Sequence, residues 1–173
     1  DEGYVTIDDW KSVKPEDLID EMRQIQNSWK DRLKEEGKNY VEELNWIDKP
    51  TFDHKKNAVY FSYEGSWNGK KGKYKTMETN GIVLGRNGYL DLSFVTSITN
   101  ETTKVELQQF ANLAKDFTDG IDFLDGSKHA DYKSGDKVAA LGIGSLVAGT
   151  LGVKALAKVG FLAKISPFLI KFW

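Results

Sequence analysis

Apolar residues follow three different patterns along this chain. Between residues 15 and 36, Leu18, Met22, Ile25, Trp29 and Leu33 recur at helical spacing. This predicts a helix over 15–36 with one stripe facing a core. Pro15 suits its first position, Glu16 and Asp17 suit its positive end, and Gly37 suits its stop. Further on, the period shortens to two. Residues 40–47, 58–63 (AVYFSY) and 89–96 (YLDLSFVT) read as strands, and 74–84 as a less regular one. In 89–96, Leu90, Leu92 and Phe94 share one face while Asp91 and Ser93 share the other. Asn87-Gly88 signals a type I′ hairpin, and Asn68-Gly69 a looser one. Strands joined in this way are antiparallel, which predicts a meander of about four strands. Helical period returns over 101–117, with Asn100 as cap, Leu107, Phe110, Ala114 and Phe117 as the stripe, and Gly120 as the end. Residues 121–124 are a candidate short last strand. The expected fold class is α+β: an antiparallel meander with two helices on one face, followed by a C-terminal transmembrane helix.

The third pattern has no period. Residues 138–153 (VAALGIGSLVAGTLGV) carry no charge, and every acidic residue lies at or before Asp136. Lys154, Lys158, Lys164 and Lys171 follow, spaced among apolar residues. At about 1.5 Å per residue the run covers roughly 24 Å, somewhat short of a hydrocarbon core of ~30 Å. With Lys137 and Lys154 snorkelling and the helix continuing to Gly160, a span over 137–160 is expected. Lysines crowd its C-terminal side, which places that side in the cytoplasm and the domain outside. Phe161, Phe168, Phe172 and Trp173, with Pro167 bending the segment, suit the inner interface. The expected divisions are an extracytoplasmic domain over 1–125, a linker over 126–136, the span over 137–160 and a juxtamembrane amphipathic segment over 161–173. Lys154, Lys158, Lys164, Lys171 and Trp173 would anchor the cytoplasmic side. Ala140, Gly144, Ala148 and Gly152 recur at every fourth position, a face that favours helix association in lipid, although small residues are common in membrane helices anyway. Two rival readings stand beside the span. One is a helical hairpin or interfacial segment, and the other is a buried helix of a soluble core.

Charge sharpens the division. The chain of 173 residues has a net charge of -2, but residues 1–136 hold 19 basic and 26 acidic residues while 137–173 hold five lysines and no acid. This asymmetry points to the lipid bilayer as a partner of the tail and argues against nucleic-acid binding by the domain. The absence of cysteine excludes disulfides, a thiol nucleophile and thiolate metal sites. An opening at Asp1 without Met reads as a mature or trimmed N-terminus.

Candidate chemistry is sparse, and neither a catalytic residue nor a metal or other cofactor is expected. His54 and His129 lack histidine partners at ligand spacing and read as surface residues, with Asp53 and Asp131 beside them only a faint metal hint. No nucleophile, phosphate-loop or zinc-protease motif occurs. Acid pairs such as Asp8-Asp9 and Glu42-Glu43 read as solvated. Asp119, Asp122 and Asp125 lack the fuller ladder of a calcium loop. Trp67, Lys70, Lys71, Lys73, Tyr74 and Lys75 form a basic–aromatic patch for anionic headgroups or an acidic partner, or else a solvated hairpin tip.

Several stretches, in order along nearly the whole chain, carry a resemblance: GYVTIDDW (3–10), LIDEMRQIQNSWKDRLKEEG (18–37), KPTFDHKKNAVYFS (49–62), VLGRNGYLDLSFV (83–95) and GSKHADYKSGDKVAALGIGSLVAG (126–149). The sequence resembles a bacterial family of predicted membrane-anchored proteins, domain of unknown function 2167. The resemblance implies a signal peptide, a further upstream segment, an extracytoplasmic region and a membrane segment near the C-terminus. It implies no catalytic residue. The expected function is a membrane-anchored extracytoplasmic interaction or accessory subunit of a bacterial envelope complex, a homo-oligomer or the companion of another membrane protein. An envelope enzyme using carboxylates and a pore component built from the tail helices are the alternatives.

Overall fold

The structure is a computed structural model that describes residues 3–150. Four strands form one antiparallel sheet in sequence order: β1 (Tyr40–Asp53), β2 (Ala58–Gly69), β3 (Gly72–Leu84) and β4 (Tyr89–Ile98). The helices are α1 (Pro15–Glu35), α2 (Lys104–Asp119) and α3 (Ile143–Thr150). The α+β meander is therefore as expected, but the placement of its helices is not.

The strand register decides which side each helix covers. Val59 pairs with Ile82 and Phe61 with Asn80, whereas the alternate residues Tyr60 and Ser62 pair with Gly81 and Thr79. Val59, Phe61, Ile82 and Leu84 pack with Leu18, Ile19 and Met22 of α1. Thr79 and Gly81 instead meet α2: Thr79 donates to the Ala111 carbonyl at 2.9 Å, and Gly81 lies against Ala114 and Thr118. Because neighbours along a strand face opposite ways, α1 and α2 lie on opposite faces. The expectation of two helices on one face is corrected: the sheet is the middle layer.

The helix α1 buries only its N-terminal half, through Leu18, Ile19 and Met22. Fully burying such a side chain contributes about 1.5–3 kcal/mol. The predicted stripe fails at Trp29, which is 46% exposed. The start of α2 is also shifted from the expected cap. Thr103 accepts from the Glu106 N–H, and Glu106 accepts from the Thr103 N–H, so this reciprocal cap outcompetes Asn100. The hairpin at Asn87-Gly88 exists, but β3 ends at Leu84 and β4 starts at Tyr89, which leaves a four-residue loop instead of a two-residue turn. The tight turn is at Lys70-Lys71, where Gly69 pairs with Gly72. Residues 121–124 form no strand.

The largest correction concerns the uncharged run. Among the described residues no helix is long and apolar enough to cross a membrane. Residues 137–142, the expected start of the span, are not helical and run beside the N-terminal segment, with Val138 bridged to Tyr4. Tyr4 N–H donates to the Lys137 carbonyl and Ala139 N–H to the Tyr4 carbonyl, each at 2.8 Å. Among the described residues of the run Ile143–Thr150 is helical, and Ile143, Val147 and Ala148 join the same core as α1; residues 151–160 of the expected span lie outside the described residues. Asp9 holds its start, accepting from the N–H of Gly144 at 3.0 Å and of Ser145 at 3.1 Å. A carboxylate here satisfies orphan donors and complements the helix dipole. A side chain at Gly142 would strike that carboxylate, with its Cβ 2.5 Å from the nearer oxygen. Of the expected small-residue face, Gly144 and Ala148 are buried against the domain, Ala140 is exposed ahead of the helix, and Gly152 lies outside the described residues. The remaining tail positions, Lys154, Lys158, Lys164, Lys171 and Trp173, also lie outside them.

The expected linker over 126–136 is attached to the domain. Arg86 donates to both carboxylate oxygens of Asp136 at 2.7 Å, and this pairing holds the Asp136 carboxyl at about 2. His129 is buried, not on the surface. Its Nε2 lies 2.9 Å from the Val5 carbonyl, and its ring stacks on Tyr4 at 4.3 Å.

A candidate polar cleft beside α2

The α2 face of the sheet carries a cleft of ≈ 990 Å³ between the β1–β2 hairpin and the helix. Successive turns of α2 bring Gln108, Asn112 and Lys115 to it, since residues four and three apart share a helix face. From the sheet come Asp48 of β1 and Tyr60 and Ser62 of β2, with Asp53 and His54 at the hairpin end.

Asp48 is the centre of the hydrogen bonding. Its Oδ2 accepts from the Ser62 hydroxyl at 3.1 Å and from the Gln108 amide at 3.4 Å. Deeper in, the Tyr60 and Thr118 hydroxyls are 2.8 Å apart. Burial raises the Tyr60 pKa, with Asp119 and Asp53 adding to the effect. Asp53 is committed to the turn: it accepts from the N–H groups of Lys55 and Lys56, which lowers its pKa. The His54 ring sits edge-on to Phe52 at 4.8 Å. Amides, lysines, carboxylates and hydroxyls thus converge on one open cleft. Such a surface can orient a ligand bearing both donors and acceptors. Ser62 is 1% exposed, and its hydroxyl is committed to the Asp48 carboxylate. Among the described residues no cluster of three His, Cys, Asp or Glu side chains could hold a metal ion.

The basic–aromatic patch lies at the other end of the sheet. Trp67 and Tyr74 stack with centroids 6.1 Å apart and planes 5° from parallel. Both rings are tied down: Trp67 donates to Thr76 at 2.8 Å, and Tyr74 accepts from Asn39 at 3.1 Å. Lys73 pairs with Glu42 at 2.9 Å, so part of the expected positive charge is compensated. Lys75 joins Trp67, Lys73 and Tyr74 along a groove of ≈ 720 Å³, while Lys70 and Lys71 occupy the turn. The structure therefore brings four of the six patch residues to one groove.

Sequence reasoning missed the α2 cleft because its contributors come from three elements. Its one readable signal is the polar series Gln108, Asn112 and Lys115, at helical spacing beside the apolar stripe.

The arrangement defines an α+β domain with an antiparallel meander between α1 and α2. The whole sequence, residues 1–173, matches the family described as Protein of unknown function (DUF2167), and the chain belongs to that family. No curated protein and no solved structure matches it significantly.

Proposed function

We propose that this protein is a non-covalent interaction module, an accessory subunit that associates with an anionic membrane surface through its lysine-rich tail. The observation that carries this reading is the burial of α3. Ile143, Val147 and Ala148 are in the domain core, so the first part of the uncharged run is committed there. Beyond residue 150 the sequence has lysines at 154, 158, 164 and 171 and no acid, and its longest uncharged stretch is the six residues 165–170. A spanning helix needs about 20 apolar residues, whereas a basic apolar segment suits the headgroup boundary. Each lysine near an anionic surface contributes about 1 kcal/mol. The sidedness expected of a spanning helix does not carry over, because a peripheral tail leaves the domain and its C-terminus on the same side.

The chain of residues 1–173 should cosediment with vesicles of phosphatidylcholine and phosphatidylglycerol, but not with phosphatidylcholine alone, and should be released by salt. Alkaline carbonate should also extract it from native membranes. Resistance to that extraction would restore the spanning helix.

A second reading is favoured by the α2 cleft, where Asp48, Gln108, Asn112 and Lys115 could bind a small polar ligand, or a substrate in the enzyme alternative. Thermal-shift screening with Asp48→Ala as control would register such a ligand. A panel that shifts both proteins equally, or neither, counts against it.

A further inference from the structure

The two edges of the sheet are built differently. At one edge, β1 contains Lys49, Pro50, Glu42 and Glu43, and its register with β2 breaks at three places. Charges, proline and bulges are the devices that stop an edge from pairing. At the other edge, β4 has an unbroken register with β3 over Tyr89–Ile98, no proline or lysine, and Asp91 as its one charge. Val95 is 62% exposed and Leu90 is 37% exposed. At about 3.4 Å per residue, these ten residues present an edge of about 34 Å.

The direction of the free groups follows from two hydrogen bonds. Leu84 N–H donates toward β2, to the Asn57 carbonyl, and Gly85 N–H donates to the Gly88 carbonyl. Backbone groups alternate sides along a strand, so Val83, Gly81 and Thr79 address β4 through Leu90, Leu92 and Phe94. The intervening residues Asp91, Ser93, Val95 and Ser97 then direct their N–H and C=O groups away from β3. Among the described residues no strand lies on that side.

We infer that β4 is the interface between two copies of this chain, which pair antiparallel with Phe94 on the two-fold axis. In that register the α2 faces align Phe94 with Phe94, Leu92 with Thr96 and Leu90 with Ile98. Phe117, beside Phe94 at 4.9 Å and 57% exposed, flanks them. On the other face Ser93 meets Val95, and Asp91 meets Ser97, so the lone charge faces neither an acid nor an apolar side chain. Centring on Ser93 would set Asp91 opposite Val95. The surface is self-complementary, as an isologous contact must be. Growth stops at two copies, because the outer edges of the joined sheet are the protected β1 strands.

The test uses the chain of residues 1–173 in mild detergent. Sedimentation should give a dimer mass, and Val95→Lys, at a side chain already in solvent, should halve it without changing the far-UV circular dichroism. Trp29→Lys, at an exposed apolar residue on α1, should leave the dimer intact. These 173 residues hold no cysteine, so Phe94→Cys should give a covalent dimer on mild oxidation, since directly opposed non-hydrogen-bonded residues lie within disulfide reach. A monomer mass for the unmodified chain overturns the proposal, and covering of this edge by residues 151–173 would produce that result. A dimer that survives Val95→Lys, or that Trp29→Lys dissolves, overturns it as well.

Discussion

The two faces of the central sheet use the same strands for different ends. On the α1 face, Val59, Phe61, Ile82 and Leu84 meet Leu18, Ile19, Met22, Ile143 and Val147, a layer made almost wholly of hydrocarbon. On the α2 face, Tyr60, Ser62, Thr79 and Gly81 meet Ala111, Ala114 and Thr118 through hydroxyls and close backbone contact. Burial of apolar area on the first face supplies most of the stability. The second face positions polar groups through small residues and specific hydrogen bonds, which suits it to recognition. One buried group departs from this division. Asn80, on the α1 face, is fully buried, and among the described residues neither its side-chain oxygen nor its nitrogen has a hydrogen-bond partner.

The strongest way to break the contrast is Phe61→Ala. Phe61 is 1% exposed and belongs to the core that joins α1 and α3. Removing such a ring costs about 3–5 kcal/mol. Denaturant unfolding should show a lower midpoint with little change in slope. A loss below about 1 kcal/mol would mean that this face is not the main source of stability.

Gly81→Val is the corresponding test of the α2 face. A Cβ there already meets Thr118 Cγ2 at 3.1 Å and Ala114 Cβ at 3.4 Å. The larger side chain must push α2 outward, at about 1–3 kcal/mol. The expected signature is local: hydrogen exchange should speed up in α2 and stay slow in α1. Equal acceleration in both helices would show that the faces are one cooperative unit, not two.

The α1 face was largely legible in the sequence and the α2 face was not. The stripe from Leu18 to Met22 reports a layer of hydrocarbon directly, whereas the alternation in YLDLSFVT reports β4, whose Leu92 and Phe94 pair with Gly81 and Thr79 on the α2 face. No comparable period marks Ser62, Thr79 or Thr118, which are buried because they are hydrogen-bonded. The uncharged run misled for a different reason. Hydrophobicity over 138–153 fits a core helix as well as a membrane helix, and the residue that separates them in this fold is Asp9, 135 positions before the Gly144 N–H it accepts from. Likewise, nothing local marks His129 as buried, because its partner is the carbonyl of Val5. The cleft was illegible for the same reason, since Asp48 and Gln108 meet only after β1 and α2 have reached the same sheet face.

The smallest expected effect is also the most selective. Thr79→Val removes the hydroxyl that donates to the Ala111 carbonyl while keeping the shape of the side chain. It leaves an acceptor on α2 without that donor, and the net loss should be about 1 kcal/mol, the usual worth of such a bond. The cross-strand neighbours of Thr79 are Ser62 on β2 and Phe94 on β4, and neither takes the place of the lost donor to the Ala111 carbonyl. The same exchange of a hydroxyl for a methyl group would be gentler on the opposite face, where Val59 and Ile82 are already surrounded by carbon. Chemical denaturation of Thr79→Val against the parent checks this directly. A gain in stability would show that the α2 face is governed by burial after all, and would remove the physical distinction between the two sides of the sheet.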